Sequence, residues 1–228
     1  MILPEPGDYI DVHTHDSRPR EGIFAVENLM ADEEVLPSDI PGRCCTMGIH
    51  PWVLTDNNFM NLLGRVNVSA AAPNLTAIGE AGFDMLRGPS AALQAEAFEA
   101  QVRIADEHRK PVVIHCVRAW NDLLAAHRKL RPAMPWLVHG FRGKRELALQ
   151  LISKGMYLSF WFAFILRKES SELLRSLPVG SILLETDGAD EDIRTIYDKV
   201  SGDLSIEVTE LKKIIFYNYM RLFHAGIR

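Results

Sequence analysis

The sequence has few cysteines, no surplus of basic charge and no long apolar run. Its three cysteines, Cys44, Cys45 and Cys116, are too few for a disulfide framework. With 25 basic and 30 acidic residues the formal net charge is −5, which argues against broad attraction to long duplex DNA. The apolar stretches fall far short of the ~20 residues that span a bilayer. We therefore expect a cytoplasmic protein with no membrane segment and no secretory leader.

Short apolar runs alternate with segments of helical spacing along the 228 residues. A hydrophobic content of 47% is ample for one core, so we expect residues 1–228 to form a single domain. Alternating strands and helices predict a parallel sheet, and eight strands close a TIM-like (β/α)8 barrel. The predicted strands are Tyr9–His13, Ile23–Asn28, Cys44–Ile49, Thr76–Glu80, Val112–His115, Trp136–His139, Tyr157–Phe160 and Ile182–Glu185.

The start of the chain is too short for ordinary strand-and-helix units. Only residues 16–43 separate His15 from the predicted strand Cys44–Ile49. If Ile23–Asn28 is a strand in its own right, the first two outer helices must be missing or very short. We therefore predict a barrel with shortened first βα units.

Five of the apolar runs lead into side chains that bind divalent metals. Parallel strands place the residues at their ends around one centre, where the active sites of such barrels lie. A lone histidine at a strand end is more often structural, but five strand ends with suitable ligands predict a metal site. The candidate ligands are His13, His15, Glu80, His115, His139 and Asp187.

These residue types suggest a division of work between two ions. His13 and His15 point the same way on a strand and could hold one ion with Asp187. His115 and His139 could hold a second, and the two oxygens of Glu80 could bridge them. A water between two cations becomes acidic enough to act as a nucleophile, and Asp187 is the candidate base. We thus expect Glu80 and Asp187 to be catalytic and the cofactor to be two divalent ions, Mg²⁺, Mn²⁺ or Zn²⁺.

Other residues near the same strand ends are candidates for substrate binding. Trp52 could stack a base, or pack in its loop. Arg118 and Arg142 could contact a phosphate, whereas Lys144 and Arg145 fit the solvated first turn of a helix. His50 could bind substrate or orient a ligand, although a hydrogen-bonded structural histidine fits the same position. Cys116 is expected to be a small buried residue rather than a nucleophile.

The motifs, in order, resemble those of the TatD family of metal-dependent hydrolases. They are His13-Thr-His15, Gly48-Ile-His-Pro51, Ile78-Gly-Glu-Ala-Gly-Phe-Asp84, Pro111-Val-Val-Ile-His115, His139-Gly-Phe-Arg-Gly143, Leu184-Glu-Thr-Asp187 and Asn218-Tyr-Met-Arg-Leu-Phe223. The resemblance implies a TIM-like barrel with two divalent ions and deoxyribonuclease activity at DNA ends. It also implies the same six ligands.

Departures from the family pattern concern substrate handling. Val117 stands where the family commonly has arginine, and Arg118 follows it. Trp52 replaces a frequent histidine, and Met85 a frequent basic or aromatic residue. Together with the shortened start and the acidic balance, these differences indicate a compact TatD subgroup.

Three functions are compatible with these residues. The first is a phosphoester hydrolase that acts on a nucleic-acid end or a small phosphodiester through a metal-bridging hydroxide. The second is an amidohydrolase-like deacylase or lactonase with the same binuclear site, although Glu80 fills the bridging place where such enzymes often carry a lysine. The third is a non-catalytic barrel. A monomer is the default expectation for all three.

Overall fold

Each of the eight predicted apolar runs forms a strand. The computed structural model describes residues 3–15 and 19–224. The strands are β1 (Tyr9–Thr14), β2 (Ile23–Met30), β3 (Cys44–Gly48), β4 (Leu75–Asp84), β5 (Val112–Val117), β6 (Trp136–Val138), β7 (Tyr157–Trp161) and β8 (Ile182–Glu185). All are parallel and pair in chain order, which confirms the predicted fold class.

Strand β8 returns to lie beside β1. The backbone N–H of Asp187 donates to the carbonyl of His13 at 3.0 Å. The buried carboxylate of Asp11 accepts from the backbone N–H of Thr186 at 3.0 Å and from its hydroxyl at 2.7 Å. Backbone and side-chain hydrogen bonds therefore both join β8 to β1. This junction, the seam of the barrel, lies next to His13 and Asp187, two of the predicted ligands.

The helices surround the sheet and pack apolar faces onto it. Helix α2, for example, buries Leu93, Ala97 and Ile104, and the Ser90 hydroxyl caps it by accepting from Leu93 N–H at 3.3 Å. No helix in the described ranges is long and apolar enough to cross a membrane. The helices are α1 (Phe59–Ser69), α2 (Ala91–Glu107), α3 (Trp120–Leu130), α4 (Arg145–Ile152), α5 (Phe162–Ile165), α6 (Lys168–Ser176), α7 (Ile193–Leu204) and α8 (Val208–Phe223).

The first two βα units are short, as the sequence predicts. No helix lies between β1 and β2 in the residues described there, 15 and 19–22. Between β2 and β3 the only helical segment is the 3-10 turn Pro37–Asp39. The chain thus forms eight strands with little helical layer outside the first two βα units.

Strand β4 is longer than predicted, so Glu80 lies inside it rather than at its end. The pairing of β4 with β5 shifts register between Ile78 and Ala81. Gly79 and Gly82 flank Glu80 with φ angles of +138° and +149°. A Cβ on Gly82 would stand 2.1 Å from the carbonyl oxygen of His115. Glycine therefore permits the close approach of the two strands that carry Glu80 and His115.

Candidate metal centre and substrate cleft

Glu80 lies at the centre of a group of buried imidazoles. Its Oε1 is 2.6 Å from Nε2 of His139 and 2.9 Å from Nδ1 of His115. The same oxygen is 3.3 Å from Nε2 of His50. Its Oε2 is 3.5 Å from Nε2 of His13. One carboxylate therefore contacts side chains carried by four other segments of the barrel.

The backbone of Glu80 is also held in place. Its N–H donates to the side-chain oxygen of Asn28, on β2, at 3.0 Å. The same oxygen accepts from the hydroxyl of Thr46, on β3, at 2.9 Å. Both residues are buried, so the carboxylate is positioned from two neighbouring strands.

The other end of the cluster joins β1 to the segment after β8. Oδ1 of Asp187 is 3.6 Å from Nε2 of His13 and 3.8 Å from Nε2 of His15. His13 is fully buried, whereas His15 and Asp187 are partly exposed. The positive φ of Asp187, 52°, belongs to the turn that presents this carboxylate at the mouth of the barrel.

All six predicted ligands meet at this place, and a seventh side chain joins them. Three sets have ligand atoms within 4.8 Å of one another. The first matches the predicted first ion site. In the others His139 groups with His13, and His115 groups with His50, although both contact Glu80. The sets are His13, His15 and Asp187; His13, Glu80 and His139; and His50, Glu80 and His115.

The donor atoms fit a divalent cation. Both ring nitrogens of His13 are buried without a hydrogen-bond partner, and so is Nδ1 of His139. Buried polar atoms are costly unless something binds them. Imidazole nitrogens facing carboxylate oxygens form a donor set that suits Zn²⁺, Mn²⁺ or Mg²⁺. The geometry thus supports metal binding by these residues.

Opposite charges stabilise one another within the cluster. Burial opposes the charge on Glu80, but the positive charge of His139 and the close imidazoles of His115 and His13 hold its pKa well below the usual value. Burial also opposes the charge on His139, yet Glu80 and Glu185 keep its pKa well above the usual value. Asp187 behaves differently. Burial, helped by the nearby carboxylates Glu185 and Glu80, raises its pKa despite His139.

Asp84 is a functional candidate whose role the sequence only hinted at. Its Oδ2 accepts from Nε2 of His115 at 3.0 Å and from the indole N–H of Trp52 at 2.7 Å. Its Oδ1 accepts from the backbone N–H groups of Leu86 and Arg87, at 2.8 and 3.1 Å. Asp84 therefore holds the loop after β4 and also orients a candidate ligand. Its place four residues after Glu80 was the available signal.

Glu185 has a corresponding position behind His139. Its Oε1 is 3.6 Å from Nδ1 of His139 and accepts from the backbone N–H of Gly140 at 2.6 Å. Its Oε2 accepts from the hydroxyl of Ser159 at 2.5 Å. Carboxylates behind metal-binding histidines fix the orientation and proton position of the ring. The run Glu185-Thr-Asp187 contained this residue, but only Asp187 stood out as a ligand.

A cleft of about 500 Å³ opens onto the cluster. Three of the four predicted substrate contacts line it, namely Trp52, Arg118 and Arg142. The fourth, His50, is buried behind Glu80 and does not line the cleft. Trp120 and Trp161 also line it, and no pattern in the sequence marked either as a cleft residue. The cleft is therefore both aromatic and basic.

Two contacts hold the Trp52 side chain in place. Its ring is 44% exposed, and the guanidinium of Arg87 stacks over it, 4.2 Å from the centroid. Its indole N–H is fixed by Asp84. A cation over one face and a hydrogen bond at the edge keep the ring in place. Trp52 is thus a rigid aromatic wall rather than a residue of the core.

The chain is similar to TatD-related nucleases and hydrolases. A family described as TatD related DNase matches residues 36–224. The 3'-5' ssDNA/RNA exonuclease TatD of Citrobacter koseri is 35% identical over 156 residues, which cover 63% of this chain and 58% of that protein. The metal-dependent hydrolase YcfH of Escherichia coli K12 is 28% identical over 194 residues, covering 78% of this chain and 72% of YcfH.

Solved structures share the fold. YJJV, a TatD homologue from Escherichia coli K12, superposes with a TM-score of 0.79 over 96% of this chain and 99% of that chain, at 17% identity. At that identity the likeness concerns the fold alone. Against several curated relatives the chain spans less than two thirds of their length, with 58%, 56% and 59% aligned in three of them.

Proposed function

The chain belongs to the TatD related DNase family, and we propose that it is a metal-dependent hydrolase that cleaves phosphodiester bonds at nucleic-acid ends. The observation that carries the proposal is the convergence of His13, His115 and His139 on one buried carboxylate, Glu80, beside Asp187. This cluster lies at the floor of a cleft with basic and aromatic walls. DNA is the proposed substrate, and a cytoplasmic location and a monomeric state remain predictions from the sequence.

The residues would divide between two divalent ions, Mg²⁺, Mn²⁺ or Zn²⁺. His13, His15 and Asp187 would hold one, His115 and His139 the other, and Glu80 would lie between them. Bound ions supply Lewis acidity, which lowers the pKa of water and polarises a phosphoryl oxygen. His50 is buried against Glu80, so we propose that it orients this carboxylate rather than contacting substrate.

Asp187 is the proposed general base. It lines the cleft, and its Oδ1 faces His13 and His15. That orientation leaves Oδ2 to accept the proton of the attacking water.

The cleft walls would hold the end of the strand. Trp52 offers a fixed face on which a base can stack, and such stacking contributes about 1–3 kcal/mol per base. Arg118 and Arg142 line the same cleft and could contact the phosphate. The Citrobacter koseri relative named as an ssDNA/RNA exonuclease supports a strand end as the substrate.

The deciding experiment combines metal analysis with hydrolysis assays. DNA and RNA oligonucleotides with free 3' ends, bis(p-nitrophenyl) phosphate, a simple ester and an amide would be compared with each ion. We expect phosphodiester hydrolysis that chelation abolishes. Asp187→Asn should retain metal but lose at least about a hundredfold in kcat, within the usual range for a general base. Near-normal turnover by that variant would refute the assignment of the base, and activity confined to esters or amides would refute the proposed bond.

A further inference from the structure

A second pocket of about 440 Å³ adjoins the cleft. Arg142 and Gly143 line both cavities, so the two lie side by side. Buried Phe164 and Leu173 line the second pocket as apolar groups. Exposed basic side chains line it as well, namely Lys144, Arg145 and Arg167.

The local fold explains why these groups meet. Arg145 begins α4 and lines the pocket, so the positive end of that helix dipole lies there. Helix α6 runs along the pocket from Arg167, just before its start, to Ser176, its last residue. Gly143 lines both cavities. A Cβ on it would stand 2.7 Å from Cζ of Phe141, so glycine allows the chain to pass this close to the buried ring.

The basic groups of the pocket are available to a ligand. None of Arg142, Lys144, Arg145 and Arg167 lies within 4.0 Å of a carboxylate of the described residues, although acidic residues also line the pocket. Glu146 and Glu169 stand in the first turns of their helices, where an acid offsets the helix dipole. The third, Glu172, lies on α6. The pocket thus holds four basic and three acidic groups. Its net positive charge adds to the positive charge of Arg118 in the neighbouring cleft.

We infer that this pocket binds backbone phosphates of a single-stranded oligonucleotide whose terminal nucleotide occupies the cleft. The inference rests on the proposed function and adds where the part of the strand beyond its terminal nucleotide is held. Because the whole chain carries a net charge of −5, a polyanion has to be held by local basic groups such as these. Arg142 lines both cavities, so the pocket lies where a strand that extends beyond the cleft could be held.

The test compares a pocket variant with a matched control. The pocket variant is Lys144→Gln, Arg145→Gln and Arg167→Gln. The control, Lys154→Gln, Arg128→Gln and Lys213→Gln, removes the same charge after the far end of α4, from the last turn of α3 and from α8, where no residue lines the pocket. All six positions are exposed, so folding should be preserved.

Two readouts are taken for each protein. The first is kcat/KM on single-stranded DNA of two, five and ten nucleotides and on bis(p-nitrophenyl) phosphate. The second is binding of a labelled ten-nucleotide strand in EDTA, by anisotropy, as a function of NaCl. In the wild type we expect kcat/KM to rise with length. The pocket variant should lose that gain and keep its activity on bis(p-nitrophenyl) phosphate. Its plot of log binding constant against log NaCl concentration should be less steep by about 2, because each of the three lost contacts accounts for ~0.7 of the slope.

Each failure has a separate meaning. The inference is overturned if kcat/KM does not change with length in the wild type, or if the pocket variant matches the control in length dependence and salt slope. Absence of all phosphodiester hydrolysis by the wild type would instead overturn the proposed function. The EDTA binding curves need no catalysis, so they would still decide whether the pocket holds a strand.

Discussion

Replacing Asp84 with asparagine should weaken metal binding although Asp84 is not a predicted ligand. Its Oδ2 lies 3.0 Å from Nε2 of His115, so the carboxylate favours a proton on Nε2 and leaves Nδ1, which faces Glu80, as the atom that would bind a cation. An asparagine offers only one acceptor oxygen. If that oxygen keeps the N–H groups of Leu86 and Arg87, its NH₂ group faces two donors, the ring of His115 and the indole of Trp52.

The imidazole can escape that conflict only by moving its proton. With the proton on Nδ1, Nε2 could accept from the new amide, but Nδ1 could no longer bind a cation. Loss of such outer partners typically costs 10–100-fold in metal affinity. We therefore expect the dissociation constant of the ion that His115 would hold to rise about 10–100-fold, equivalent to about 1.4–2.8 kcal/mol.

Metal affinity can be measured by competition with a chelating indicator, which requires no turnover. Trp52→Phe is the matched control, because it removes the other donor to Oδ2 and leaves the carboxylate on His115. It should keep metal affinity while raising KM for oligonucleotides. An Asp84→Asn protein whose affinity stays within twofold of the wild type would show that Asp84 does not set the proton position of His115.

Three further outcomes follow from the same structure. Asp11→Ala should lower the free energy of unfolding by about 1–3 kcal/mol in denaturant titrations, because it leaves the buried N–H of Thr186 without an acceptor; Asp11→Asn, which keeps an acceptor, should cost less. Burial raises the pKa of Cys116 to about 12, so Cys116→Ala should retain activity and iodoacetamide should modify this thiol slowly at pH 8; rapid labelling would contradict the burial argument. Gly82→Ala should destabilise the protein by about 3 kcal/mol or more in thermal unfolding, since its methyl group would collide with the carbonyl of His115; a neutral effect would show that β4 and β5 can separate freely.

Most strands were predictable because they are buried on both faces. Runs such as Val112–Ile114 and Ile182–Leu184 contain no polar residue, and segments of helical spacing separate them. The strand that begins at Ile23, whose residues alternate between buried and half-buried, was predictable by counting, since eight strands are needed to close the barrel. Metal-binding residue types at the ends of these strands were visible for the same reason.

The supporting residues were not predictable, because their roles depend on contacts between distant segments. Asp11 and Thr186 are 175 residues apart, and Asn28 meets the backbone of Glu80 across 52 residues. A buried aspartate in an apolar strand has no sequence pattern that names its partner. Trp161 likewise ends an ordinary buried strand, and only the curvature of the barrel brings it to the cleft.

Closure of the barrel and assembly of the candidate site depend on the same contacts. His13 lies on β1 and Asp187 follows β8, so the two approach each other only if these strands meet. Two hydrogen bonds hold the strands together here. Asp187 N–H donates to the carbonyl of His13, and Thr186 N–H donates to the carboxylate of Asp11. Glu80 reaches the same point from β4, through the glycines that allow β5 to approach. A change that loosened the seam should therefore separate the two halves of the ligand set before it unfolds the sheet.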